Sequence, residues 1–336
     1  MNRAKLLAFC VAFAIAAPAF ADEPIKLKYA SPAPPQSLVT LWGVAPKLEE
    51  IVKASDGTIE IQNFLGAVLG NFNQVLDRTS SGVNEIAWGI LGPYSDQFPQ
   101  TDVPSIPFVA PQGHASSVAM WRLFERGVIK DDWARFKVLA LFNFPPASMH
   151  TNTKPMRTLN DFKGLKIGVS VRNVAELVDL IGGASVTMQP SDMYQAGQRG
   201  VVDGLAMAWP AFYPFKLQEV TKYHIDGAFG GTPSFVIMNK AAYEKLPAKA
   251  KAAIDKVAGE GFSGHMGTTT DKMDEDGRKR VEAMQGHTFF KLDPKEEPLW
   301  KERAKPIVDK WIKATPNGAA VLAAFQTEYE KALKGN

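Results

Sequence analysis

Apolar and polar residues alternate one for one in several short stretches of this chain, and between them the apolar spacing widens to the three-and-four rhythm of helices. Ile25, Leu27 and Tyr29 alternate with Lys26 and Lys28, and Ile59, Ile61 and Asn63 alternate with Glu60 and Gln62, which predicts two half-exposed strands. Helices are predicted over about 38–54, 73–80 and 114–126, with strands at 83–88 and 137–142. Further strands are expected at 165–169, in VTMQ, in GVVDGLAMAW, in PSFVIMNK and in HTFFKL. The longest helical stretch runs from Ala241 to about Met284, and the C-terminal remainder reads as amphipathic helix. Repeated strand–helix alternation predicts an α/β class with mainly parallel sheets.

The N-terminus breaks this pattern. Arg3 and Lys5 precede the apolar run LLAFCVAFAIAA, which ends at Ala19-Phe20-Ala21, the form of a cleavable export signal over residues 1–21. Without Arg3 and Lys5 the 38 Lys and Arg fall to 36 against 35 Asp and Glu, so no basic field is left for nucleic acid or an anionic membrane. The single cysteine, Cys10, lies inside the signal, which removes disulfide, thiolate and Cys–metal chemistry from the exported part. A periplasmic location follows as the expectation. More than 300 residues exceed what one core fills, so two lobes are expected.

Catalytic signatures are weak. His114, His150, His224, His265 and His287 show no metal-ligand spacing, and HExxH is absent. Gly259-Glu-Gly261-Phe-Ser-Gly264 has the form GxGxxG but follows a helical run instead of a strand, and reads as a glycine-weakened part of a long helix. Ser263 beside His265 lacks the final glycine of a nucleophile elbow. The expectation is therefore no enzyme, no metal and no cofactor.

Binding residues are better represented. Trp88 and Tyr94 flank a loop leaving one strand, and Trp209, Phe212, Tyr213 and Phe215 cluster after another, which suits an aromatic-walled pocket at strand ends. In GLKIGVSVRNVAEL, a strand through Leu165, Ile167 and Val169 meets a helix with Asn173 and Glu176 as a possible capping box. Arg172 falls at this junction, where free N–H groups and a guanidinium fork would favour a carboxylate. A surface ion pair is the equally weighted alternative.

The segments LGAVLGNFNQVLDRTSSGVNEIAW, DFKGLKIGVSVRN, MYQAGQRGVVDGLAMAW and FVIMNKAAYEKLP, in this order, resemble the solute-binding proteins of tripartite ATP-independent periplasmic (TRAP) transporters, the DctP-type family. The resemblance implies a periplasmic binding protein fold of two α/β lobes with exchanged strands, a long bridging helix and a ligand cleft. It implies lobe I over 22–148 plus about 234–275, and lobe II over 149–233 plus about 276–336. It also implies delivery of an organic acid to integral-membrane TRAP permease subunits, with no chemistry on the ligand and a monomer as the default. Most relatives carry an arginine in the GLKI strand that clamps the ligand carboxylate, where this chain has Gly168; Arg172 is expected to take over that contact. Relatives with Glu-Asn-Pro after GVVDG contrast with Met207-Ala208-Trp209 here, which points to an aromatic monocarboxylate such as cinnamate, coumarate or benzoate. The expected site is Arg172 and Asn173 facing Trp88 and Tyr94, with Trp209, Phe235, Met207 and Ser31 completing it. A C4-dicarboxylate, a keto acid or a neutral ligand is the alternative, as is a module that presents solute to a membrane sensor.

Overall fold

A computed structural model describes residues 23–129 and 131–335, so the expected signal over 1–21 lies outside the described residues. The chain begins with β1 (Ile25–Ser31), β2 (Ile59–Leu65), β3 (Ile86–Ile90) and β4 (Phe136–Phe144). It then crosses to a second lobe for β5 (Ser148–Thr151), β6 (Lys166–Val169), β7 (Ala184–Thr187), β8 (Gly204–Met207) and β9 (Tyr223–Asp226). It returns for β10 (Thr232–Asn239) and later adds β11 (Thr288–Lys291).

The first sheet has the order β2-β1-β3-β10-β4 and the second β11-β9-β5-β8-β6-β7. Each sheet is parallel except around the strand that arrives from the other lobe. β10 runs antiparallel to both β3 and β4, and β5 runs antiparallel to both β8 and β9. Five of the nine strand pairings among the described residues are parallel, in line with the expectation of mainly parallel sheets, and the four antiparallel ones all involve the strand that enters from the opposite lobe with its direction reversed. Apolar residues fill both faces of each sheet, as buried strands of α/β folds require.

The helical stretch predicted from Ala241 to Met284 is three helices, 240–245, 248–257 and Glu260–Glu282. Pro247 separates the first two, and Gly259, at a φ of 127°, turns the chain into the third. The GxGxxG stretch therefore opens a helix instead of weakening one. Ser263 Oγ accepts from the Leu141 N–H at 3.1 Å, and His265 Nε2 bonds the Trp42 and Gly43 carbonyls, so the two side chains are spent on packing.

Helix Glu260–Glu282 spans about 34 Å at 1.5 Å per residue and is held by both lobes. Asp271 accepts from the N–H groups of Gly113 and His114 in the first lobe, at 2.7 and 2.8 Å. Asp274, one turn on, accepts from the Trp209 N–H in the second lobe at 3.0 Å. The C-terminus departs from the expected lobe boundaries. Helix Glu297–Ala314 lays Trp300, Ala304 and Ile307 on the second lobe's core, but helix Gly318–Leu333 returns to the first lobe, where Val321, Phe325 and Tyr329 pack with Ala115 and Ala119.

Candidate functional site

The strand period of two sorts the aromatic residues of the first sheet. Ile86, Trp88 and Ile90 of β3, Phe142 of β4 and Val236 of β10 share one face, while Ala87, Leu141 and Phe235 share the other. The near face borders a void between the lobes, about 510 Å³ of atom-free space that includes open solvent. Phe72, Trp88, Phe144 and Phe215 form its aromatic wall, and Met207 closes it from the second lobe. The Trp88 ring is fixed by its N–H, which donates to Ser31 Oγ at 2.8 Å, and Ser31 Oγ in turn bonds Thr40 Oγ1 at 3.0 Å. Phe72 meets Trp88 edge-on at 5.7 Å between centroids, a favourable aromatic geometry.

Polar groups in the lining are few. Ser37, Ser170 and Thr232 contribute hydroxyls, and none of the described residues lining the void is charged. The lobes touch at its rim: a Cβ placed on Gly92 would lie 2.1 Å from the Ser170 carbonyl oxygen, so only glycine allows this approach.

Of the eight residues expected at the site, the structure sets Trp88 and Met207 in the lining and Ser31 behind Trp88 as its hydrogen-bond acceptor. Arg172 stands at the outer rim, about half exposed, with Nη1 2.6 Å from Asp96 of the opposite lobe. That hydrogen bond raises the Arg172 pKa and lowers that of Asp96. The expected capping box at Asn173 does not form. Val171 is the N-cap, Glu176 pairs with Lys310, and the Asn173 amide crosses the cleft to donate to Ser105 Oγ at 2.7 Å and to Asp102. Burial pushes Asp102 up to about 7, against the lowering effect of its hydrogen bond with Ser105.

Three aromatic expectations fall away from the void. Phe235 lies on the far face of β10 against Gly89 and Trp133. Tyr94 is buried in that same core, its hydroxyl accepting from the Leu76 N–H. Trp209 turns toward His150 and Phe289, donates to Asp226 at 3.1 Å, and borders a neighbouring groove with Tyr213 and Arg280. The sequence reading missed Phe72, Phe144, Ser37, Ser170 and Thr232. Extending the alternation of β4 by two residues would have reached Phe144; Phe72 lies in a loop with no period to announce it.

Three histidines without any sequence spacing also converge. His150 Nε2 donates to the Met207 carbonyl at 2.9 Å, since a carbonyl can only accept. This leaves His150 Nδ1 to accept from His224 Nδ1 at 2.9 Å, and His224 Nε2 to accept from His287 Nδ1 at 2.9 Å. Every contact is satisfied with all three rings neutral. Burial lowers His150 to about 4 and His224 to about 2, and holds His287 below its usual value. Among the described residues no group of three or more His, Cys, Asp or Glu has a metal-holding arrangement.

Known proteins share this architecture. The sequence profile of bacterial extracellular solute-binding protein family 7, DctP, matches residues 36–314. A TRAP solute-binding protein from Rhodoferax ferrireducens, solved with copurified benzoate, superposes with a TM-score of 0.88 at 27% identity, covering 92% of this chain and 99% of that one. One from an unidentified marine microbe, described as specific for aromatic acid ligands and solved with 3-hydroxybenzoate, superposes with a TM-score of 0.87 at 27% identity, covering 92% and 98%. The C4-dicarboxylate-binding periplasmic protein DctP of Rhodobacter capsulatus is 26% identical over 334 residues, 95% of each chain. With two lobes joined by exchanged strands, and a profile match running through both, this chain belongs to the family 7 extracellular solute-binding proteins, the DctP-type binding components of TRAP transporters.

Proposed function

We propose that this binding protein is exported by cleavage of its N-terminal signal, captures a small planar aromatic compound between its lobes, and hands it unchanged to the membrane permease subunits of its transporter. The observation that carries this reading is the wall of Phe72, Trp88, Phe144 and Phe215 around a void with only hydroxyls for polar contacts. Apolar burial and ring–ring contact would supply the affinity, and the ligand would hold the lobes together by binding the closed state better than the open one. Benzoate and 3-hydroxybenzoate in the two similar structures support an aromatic ligand.

The expected aromatic monocarboxylate divides into two parts under this reading. The ring has its wall. The carboxylate has hydroxyls but no cation among the described lining residues, because Arg172 stands at the rim with Asp96.

A thermal-shift screen tests the reading with benzoate, 3-hydroxybenzoate, benzamide, succinate and glucuronate, since a ligand of the folded state raises its melting temperature. Aromatic compounds should shift it, and Trp88→Ala should remove most of the shift. Shifts with succinate or glucuronate alone would sink the aromatic reading while leaving the family assignment intact.

A further inference from the structure

Gly168, on β6 beside β8, brings no side chain toward the cleft. A Cβ built there would lie 2.9 Å from Leu205 Cδ2 and 3.4 Å from Met188 Sδ. Both are ends of flexible side chains, so the space beside Gly168 is filled by apolar groups that a small side chain would have to displace. Leu205 also belongs to the packed cluster of Met193, Val202 and Met207, and Met207, two residues along β8, carries the same face into the void. The volume on this side is occupied by apolar atoms, and the wall they support is continuous.

The nearest candidate cation on the connecting loop is also committed. Arg172 bonds Asp96 across the rim, and its neighbour Asn173 is spent on Ser105 and Asp102. Behind the lining the acids are held by hydrogen bonds, and Arg278 is paired with Asp226 and Glu282. Asp274 follows the lining residue Met273 and is buried, accepting from the Trp209 N–H, and Asp226 accepts from Ser148, Trp209 and Arg278. A ligand anion in the void would therefore lose its hydration with no cation among the described lining residues, a cost that a buried charge escapes only by pairing.

The three hydroxyls have the opposite character. Ser37, Ser170 and Thr232 open onto the void, and their side chains have no hydrogen-bond partner among the described residues. Each can donate and accept, which matches an amide, alcohol, phenol or aldehyde as well as a second hydroxyl.

We infer that the ligand of this cleft is an uncharged aromatic compound, its ring against Trp88 and Phe144 and its polar group hydrogen-bonded to the hydroxyls of Ser37, Ser170 and Thr232. The inference rests on the aromatic reading above and specifies the charge of the ligand. Discrimination in such a site comes from the missing cation, since a charged analogue of the same shape loses its solvation without compensation.

Calorimetric titration of the purified protein with benzamide, benzyl alcohol and benzoate at neutral pH and at low and high salt is the test. The amide or the alcohol should bind roughly tenfold or more tightly than benzoate, which is the size expected from even a small unpaired-charge penalty at 1.4 kcal/mol per decade. Its affinity should also be insensitive to salt. Benzoate binding as tightly as the neutral compounds, or more tightly, overturns the inference and leaves the aromatic reading standing. Silence from all three, with succinate or glucuronate binding, overturns both. Ser170→Ala and Thr232→Val give a second handle: each should weaken the amide several-fold, and an unchanged amide affinity in both would overturn the role of the hydroxyls.

Discussion

Replacing Arg172 by alanine separates a rim latch from a ligand clamp. The guanidinium is 48% exposed and its Asp96 partner 81% exposed, with 2.6 Å between Nη1 and Oδ1. Exposed pairs of this kind are worth about 0.2–1 kcal/mol, which at room temperature is a factor of at most about five. The pair joins the two lobes, so its loss lowers the population of the closed form and weakens every ligand by the same factor. Arg172→Ala should therefore reduce affinity by no more than about fivefold for anionic and neutral aromatic ligands alike. Asp96→Asn should reproduce that loss, and high salt should erase both. Titration calorimetry of the two variants with benzoate and benzamide, at two ionic strengths, reads this directly. A guanidinium that instead swung onto a ligand carboxylate would leave a buried charge unpaired on removal and cost about 2–5 kcal/mol. A loss of thirtyfold or more (about 2 kcal/mol at 1.4 kcal/mol per decade), confined to benzoate and absent from Asp96→Asn, would refute the latch.

Two further predictions concern stability. Gly168→Ala sets a methyl against the mobile end of Leu205 and should cost no more than about 1 kcal/mol in denaturant unfolding; a loss of about 3 kcal/mol would mean that the wall is rigid. Burial holds Asp274 up to about 8 and Asp102 up to about 7, so between 3.8 and those values the fold retains protons that the unfolded chain has released, and stability falls as pH rises. His150 and His224, lowered to about 4 and about 2, stay neutral while the unfolded chain gains protons below 6.5, so stability also falls as pH drops through 6.5. The melting temperature should peak on the mildly acidic side of neutrality. Asp274→Asn keeps an acceptor for the Trp209 N–H and should raise the melting temperature on the alkaline side by a few degrees; an unchanged value there would show that Asp274 is not buried neutral.

Most strands were legible because local alternation carries them: the predicted stretches at Ile25, Ile59, Lys137 and Leu165 correspond to β1, β2, β4 and β6. The site was legible only where that alternation points one way. Trp88 shares its strand face with Ile86 and Ile90 and faces the void, but Phe235 is equally aromatic and equally buried, and only the register of β10 against β3 decides that it faces away. Arg172 was found by its position at a helix start, yet its partner Asp96 lies in another lobe, 76 residues earlier, beyond the reach of any local rule. The histidine chain escaped for the same reason. His150, His224 and His287 stand on or beside β5, β9 and β11, which are adjacent only because the second sheet orders them so.

The place of β10 between β3 and β4 has a consequence for the order of events during synthesis. Until Asn239 is available, the first sheet consists of a three-strand fragment, β2-β1-β3, and a detached β4, each with an unpaired inner edge. The second sheet waits longer, because β11 follows the long helix, and the first lobe is sealed only when residues 318–333 return to it. Such non-local closure is slow. While the C-terminal third is missing, neither sheet has all of its strands and the first lobe lacks helix Gly318–Leu333. The strand exchange that ties the two lobes together also leaves both sheets open until the end of the chain arrives.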